Sequence, residues 1–237
     1  MNGTIEIRAL TDHADLTEAV RLQKEIWGFR ELELLPVRLF VVATKVGGQV
    51  FGAYDGARMI GFLLAIPGVK PGGESYLHSH MMGVLPSYQD HGVGRMLKLR
   101  QREEAMSRGI ALIEWTFDPL ELKNAFFNIQ RLGAIVRRYV LNQYGTTSSH
   151  LHGGLPTDRC VAEWHILEPP AHAVPVAEIR IPNDIAEIRR TDLPRAREIQ
   201  KHASDLFQQY FHEHLAVTAF ERRENEGVYL LAPWHSE

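Results

Sequence analysis

The 237-residue chain is poor in several things, and each shortage excludes something. It has one cysteine, Cys160, which rules out an internal disulfide, a thiolate zinc site and an iron–sulfur cluster. A single thiol also suits a reducing, cytoplasmic setting. Long apolar runs are missing: the longest, Met59–Pro67, falls well short of the roughly 20 residues that span a bilayer. Residues 1–10 alternate polar and apolar side chains and lack the apolar centre of a signal peptide. There is no excess of positive charge. Lys and Arg number 26 against 29 Asp and Glu, a net charge of −3, so no basic field gathers the phosphates of a nucleic acid. Repeats and low-complexity tracts are also absent. The expectation is a soluble, cytoplasmic protein with no nucleic-acid or membrane partner. What the chain does have is 45% apolar residues, enough for a sizeable core.

Periodicity predicts the elements in order. Ile5–Arg8 alternates like a strand. Leu16, Ala19, Val20, Gln23, Ile26 and Trp27 share a helical face, with Asp12 or Asp15 as the start and Gly28 as the stop. A second helix opens at Pro36 and ends at Gly47-Gly48. Val50–Tyr54 and Met59–Ile66 flank Asp55-Gly56, a strong hairpin signal. Ser75–Val84 is a third strand of this group, Val93–Ser107 a helix closed by Gly109, and Ile110–Phe117 an apolar strand of the kind buried on both faces of a parallel sheet. Asn124–Leu132 reads as a short helix, Ala134–Leu141 and Cys160–Ile166 as strands, and Asn142–Asp158 as a long loop between them. The order is that of a mixed α/β sheet rather than a sandwich or bundle.

Residues 168–175, with Pro169-Pro170, read as a stiff linker. Beyond it, Glu178–Ile181, Leu193–His212 and the pair Val217–Phe220 and Val228–Leu231 outline a small α+β extension at 176–237. About 60 residues is marginal for an independent domain, so this extension is expected to pack on the main body or on a second subunit, as in a homodimer.

The sharpest local feature is Gln89-Asp90-His91-Gly92-Val93-Gly94, between a strand ending Val84-Leu85-Pro86 and the Val93–Ser107 helix. A helix start presents unpaired amides and a partial positive charge, a setting for an anion. Glycines let backbone approach a phosphate where a Cβ would collide. The same residues also serve as a plain strand–helix turn. The spacing is not Gly-x-Gly-x-x-Gly and no lysine follows the second glycine, so dinucleotide and P-loop readings fail.

Gln-x-x-Gly-x-Gly after such a strand resembles the acetyl-CoA-binding motif of the GNAT superfamily of N-acetyltransferases. The block Asn124-Ala125-Phe126-Phe127-Asn128-Ile129-Gln130-Arg131-Leu132-Gly133-Ala134 resembles that family's second cofactor motif, and the likeness covers most of residues 5–166. The Phe117-Asp118-Pro119-Leu120 turn and the Asn-rich helix look like an uncharacterised bacterial branch. The resemblance implies a mixed, partly splayed sheet flanked by helices at 1–167, linked through 168–175 to the extension. It implies acetyl-CoA as cosubstrate, bound by Gln89, Asp90, His91, Gly92, Val93, Gly94 and Arg95, with the pyrophosphate on the amides of His91 to Arg95. The thioester oxygen falls near Met82, Gly83 and Val84, and Asn124 is a candidate for the cofactor arm or for a helix cap. The acceptor is a small-molecule or peptide amine.

Acylating an amine requires a proton acceptor. His78 falls where histone-type members of the family carry a catalytic glutamate. His80 lies two residues on and so shares its face before any bulge, and Glu114 on the next strand is a third candidate. A polar patch on a half-exposed strand is the plain alternative for the histidines. A metal reading of His78 and His80 with His150 and His152 has no third ligand of diagnostic spacing, so no metal is expected. Ile129 stands where many family members carry the tyrosine that protonates the leaving thiolate, which leaves Tyr139, Tyr144 or water for that role. It also leaves open an acyl-CoA-binding module without turnover, in a sensor or assembly role.

Overall fold

A computed structural model describes residues 4–145, 154–170 and 173–234. The chain divides into two compact units, Met1–Ile113 and Glu114–Glu237.

In the first unit, β1 (Glu6–Ala9), β2 (Gln49–Asp55), β3 (Arg58–Val69) and β4 (Ser75–Val84) form antiparallel neighbours in sequence order. The Asp55-Gly56 turn closes β2 on β3 as expected, with Asp55 opposite Arg58. Helix α1 (His13–Trp27) starts at Asp12, whose carboxylate accepts the Ala14 amide, and stops at Gly28 in the left-handed region. This is an N-cap and αL stop that the side chains at both ends dictate. Helix α2 (Val37–Lys45) follows Pro36. Trp27 of α1 meets the edge of Phe62 on β3, and Phe40 of α2 packs on the same ring. These contacts place both helices over one face. Helix α3 (Val93–Ser107) buries Val93, Leu97, Lys98, Gln101 and Ala105.

The second unit carries most of β5 (Leu112–Phe117), then α4 (Leu122–Ala125) and a π-helical turn at Phe126–Arg131. This differs from the single helix expected over 124–132. The wider turn buries both Asn128 and Ile129, and such turns recur at functional sites. Next come β6 (Ile135–Val140), β7 (Arg159–His165), β8 (Ala177–Pro182), α5 (Ile185–Thr191), α6 (Leu193–His212), β9 (Leu215–Arg222) and β10 (Glu226–Pro233). β6 pairs with β7 on one side and with β9 on the other, and β10 lies between β9 and β8. Helix α6 closes this unit through rings: Tyr139 of β6 stacks on Phe207, which meets Tyr229 of β10 edge-on. Helix α5, unforeseen from sequence, carries Arg189, whose guanidinium pairs with Asp118 and Glu121.

Candidate functional site

The candidate site in the first unit is built around an irregularity in β4. Leu64 of β3 lies opposite Met81 and the next residue, Ala65, opposite Ser79, so His80 is an extra residue in the ladder. A bulge of this kind bends the strand and re-aims side chains beyond it. Ser79 reaches α3, where Lys98 Nζ donates to its Oγ at 2.8 Å. Gly83, four residues on, turns to α1, because a Cβ there would come within 2.7–2.8 Å of Trp27 and Ile26. A glycine is what lets α1 lie this close.

His78 and His80 share the face opposite Ser79, with ring centroids 5.8 Å apart. Burial lowers the His80 pKa from the ordinary 6.5 and favours the uncharged ring, which is the form that accepts a proton.

Beyond β4 the chain is tied down before it enters α3. Tyr88 donates its hydroxyl to Asp55 at 2.8 Å, and Gln89 Nε2 donates to the Val84 carbonyl at 3.2 Å. The Gln89 side chain thus shapes the loop from within the protein. His91 Nδ1 lies 2.7 Å from the Gln89 carbonyl oxygen. Asp90 and Gly92 take positive φ, 64° and 81°. Gly92 is the N-cap of α3, with no side-chain cap and no acid in the first turn. Helix geometry leaves the first amides, Val93 to Arg95, without intrahelical acceptors. A Cβ on Gly92 would meet nothing within 4 Å, and one on Gly94 only the Met82 methyl at 3.5 Å. The approach to these amides is open, and the donor set fits a diphosphate.

In the second unit, Glu114 is buried and bound to Arg138 at 2.5 Å. Arg138 also reaches Glu163, which takes Arg137 at 2.5 Å. Burial alone would raise the Glu163 carboxyl. His165, with Nε2 3.6 Å away, and the two guanidiniums reverse that and hold it at about 2. Asn124 is exposed on α4, whose N-cap is Glu121, so it does not cap that helix. Ile129 is buried. Tyr139 donates to Asp158 at 3.0 Å, and burial, then the Asp158 charge, push its hydroxyl up. Tyr144 is half-exposed, its hydroxyl 3.2 Å from Thr116 Oγ1 on β5.

Among the described residues no three His, Cys, Asp or Glu side chains gather as a metal set. His150 and His152 lie outside the described residues. No helix among the described residues is long and apolar enough to cross a membrane.

Sequence reasoning missed the buried Lys98, while the bulge was expected in β4 from the family resemblance, though not its position at His80. The first had a signal: Lys98 and Gln101 lie on the stripe of α3 that Val93, Leu97 and Ala105 mark as buried. The position of the bulge had none in the side chains themselves, since a slip is a property of two strands in register.

A bulged strand running through a tied loop into an uncapped, glycine-opened helix defines an acetyltransferase fold. The model of the acetyltransferase (GNAT) family matches residues 14–133. The chain belongs to that family. No curated protein sequence matches it. Among solved structures, Arabidopsis thaliana NAA60 in complex with acetyl-CoA aligns with a TM-score of 0.56 at 15% identity, covering 70% of this chain and 100% of that one. The ribosomal-protein-S18-alanine N-acetyltransferase from Escherichia coli aligns at 0.54 and 20% identity, covering 72% and 99%. Arabidopsis thaliana Naa50 in complex with the bisubstrate analogue CoA-Ac-MVNAL aligns at 0.53 and 16%, covering 67% and 97%. At these identities the likeness is one of fold.

Proposed function

We propose that this family member moves an acetyl group from acetyl-CoA to an amine by direct attack, with no covalent enzyme intermediate. One observation carries the reading: the start of α3, opened by a left-handed glycine and left without a side-chain cap, follows directly on the bulged strand that holds two adjacent imidazoles. In this reading the amides of Val93, Gly94 and Arg95, with the Gln89–Gly92 loop, hold the pyrophosphate of the cosubstrate. Backbone amides at Met82–Val84 face the thioester oxygen. Removing one such donor costs other enzymes about 3–4 kcal/mol of barrier. His80, dehydrated and therefore uncharged, takes the proton from the attacking amine, and His78 completes the polar face beside it. The Glu114 carboxylate, already bound to Arg138, is the weaker candidate for that role. We assign the chemistry to residues 1–167, joined through 168–175 to the extension at 176–237. The family match, at 14–133, falls within the first of these stretches.

A second reading, an acyl-CoA-binding module without turnover, draws on Ile129 and Tyr139. The first is buried and apolar where family members carry an acid, and the second has its hydroxyl committed to Asp158. A calorimetric titration with coenzyme A, followed by a thiol-release assay with acetyl-CoA and a panel of amines, separates the two. Binding with amine-dependent thiol release supports transfer. Binding without release supports the module, and no binding overturns both.

A further inference from the structure

Helix α3 buries five side chains against the sheet, and one is a lysine only 2% exposed. Burying an amine costs free energy unless hydrogen bonds replace those of water. A methionine would fill much the same space without that cost.

Lys98 Nζ donates to Ser79 Oγ at 2.8 Å and to Gln101 Oε1 at 3.1 Å. The Gln101 backbone carbonyl in turn accepts Gln49 Nε2 at 3.1 Å, and that amide also reaches Glu104. Gln49 of β2, Ala65 of β3 and Ser79 of β4 are register partners in one row across the sheet. The middle position carries only a methyl, which leaves room above it for the lysine and glutamine from α3. Of this chain of contacts, Gln49, Ser79, Lys98 and Gln101 are buried. It ends at Ser79, the last residue of β4 before the ladder slips at His80. Burial drives the amine toward its uncharged form, which favours a hydrogen-bonding role over an ionic one.

We propose that Lys98 is a positioning residue: through Ser79 it clamps β4 at the point where the bulge turns the strand over, and so sets the His80 ring and the Met82–Val84 amides beyond it. The clamp rests on the geometry alone. Its consequence for rate rests on the acyl-transfer reading above.

The test combines Lys98→Met and Ser79→Ala in the full chain with three readouts. Lys98→Met changes Tm only modestly, since it removes the cost of burying an amine but leaves Ser79 Oγ and Gln101 Oε1 without that donor. Amide hydrogen exchange at His80–Gly83 speeds up by about 10-fold or more while the rest of the sheet is unchanged. kcat falls by about 10-fold or more, with KM for acetyl-CoA within about twofold, because misplacement of β4 is felt in the transition state while the amides at the start of α3 stay in place. Ser79→Ala reproduces the exchange and kcat effects, with a lower Tm because the buried amine loses one of its hydrogen bonds, and the double variant adds nothing further in exchange or kcat, as expected of two residues acting as one unit.

Unchanged exchange at His80–Gly83 in both variants overturns the inference. So does a lowered Tm with kcat per folded molecule intact, the signature of a lysine that only stabilises. Should Lys98→Met not fold, the Ser79→Ala exchange and kcat decide. If exchange responds but the wild type transfers acetyl to no amine in the panel, the clamp stands and the transfer reading falls.

Discussion

Ser79 and Gly83 stand four residues apart on one strand yet face opposite sides of the sheet, Ser79 toward Lys98 of α3 and Gly83 toward Trp27 and Ile26 of α1. In a regular strand residues i and i+4 share a face. The extra residue, His80, breaks the alternation between them. Ser79 before the bulge therefore faces α3 and Gly83 beyond it faces α1, and the proposed base sits at the changeover.

Gly83→Ala tests the closeness of α1. The new methyl lies 2.7–2.8 Å from Trp27 and Ile26, a clash that a packed interface relieves only by moving the helix or the strand. Denaturant unfolding should show a loss of about 1–3 kcal/mol.

Gly92→Val tests the loop. A Cβ at Gly92 meets no neighbour, so any effect comes from φ at 81°, which costs a β-branched residue about 1–3 kcal/mol. A loop that relaxes to avoid this strain no longer presents its amides. The Kd for coenzyme A measured by calorimetry should rise roughly 10-fold or more.

His80→Gln tests the base. The variant should lose about 10²–10⁴-fold in kcat/KM, the usual contribution of a positioned general base. The wild-type pH profile carries a second check. Only the uncharged ring accepts a proton, so activity is present above the His80 pKa and is lost as pH falls through it. Burial lowers that pKa from 6.5, so the acid limb should lie below the range of an ordinary imidazole.

Glu163→Gln tests the ion cluster of the second unit. The variant leaves Arg137 and Arg138 without the buried carboxylate that both contact, and stability at neutral pH should drop by about 3 kcal/mol. The sign with pH follows from a carboxyl held at about 2 in the folded chain against an ordinary 4.5. Its contribution is complete above about 4.5 and is lost as pH falls toward 2. An acid titration of unfolding should show the wild-type advantage over the variant shrinking across that window.

Tyr139→Phe separates stability from chemistry. The hydroxyl is committed to Asp158, so its removal should cost about 1–2 kcal/mol in thermal unfolding. The rate of acetyl transfer per folded molecule should not change. A fall in that rate would show that Tyr139, and not solvent or Tyr144, protonates the leaving thiolate.

Features decided by neighbouring residues were legible in the order of side chains. Asp12 and Gly28 bound α1, and Asp55-Gly56 closes the β2–β3 hairpin, because caps and tight turns are settled within a few residues. The glycine-opened start of α3 belongs with them, and it was enough to suggest the family. The Asn-rich helix was legible only in outline, since whether a turn widens to π depends on what it packs against.

The amino-acid order alone marked most of the elements, α5 and the π turn excepted, and the glycine-opened start of α3, since these follow from local backbone chemistry. Tertiary structure decided the rest. It set the slip at His80, which exists only in the register of β4 against β3. It brought Glu114 to Arg138 and Lys98 to Ser79, pairs 24 and 19 residues apart whose meeting depends on how strands and helices pack. A charged side chain on a helix reads from sequence as solvated, and only the burial of α3 against a sheet turns Lys98 into an internal clamp.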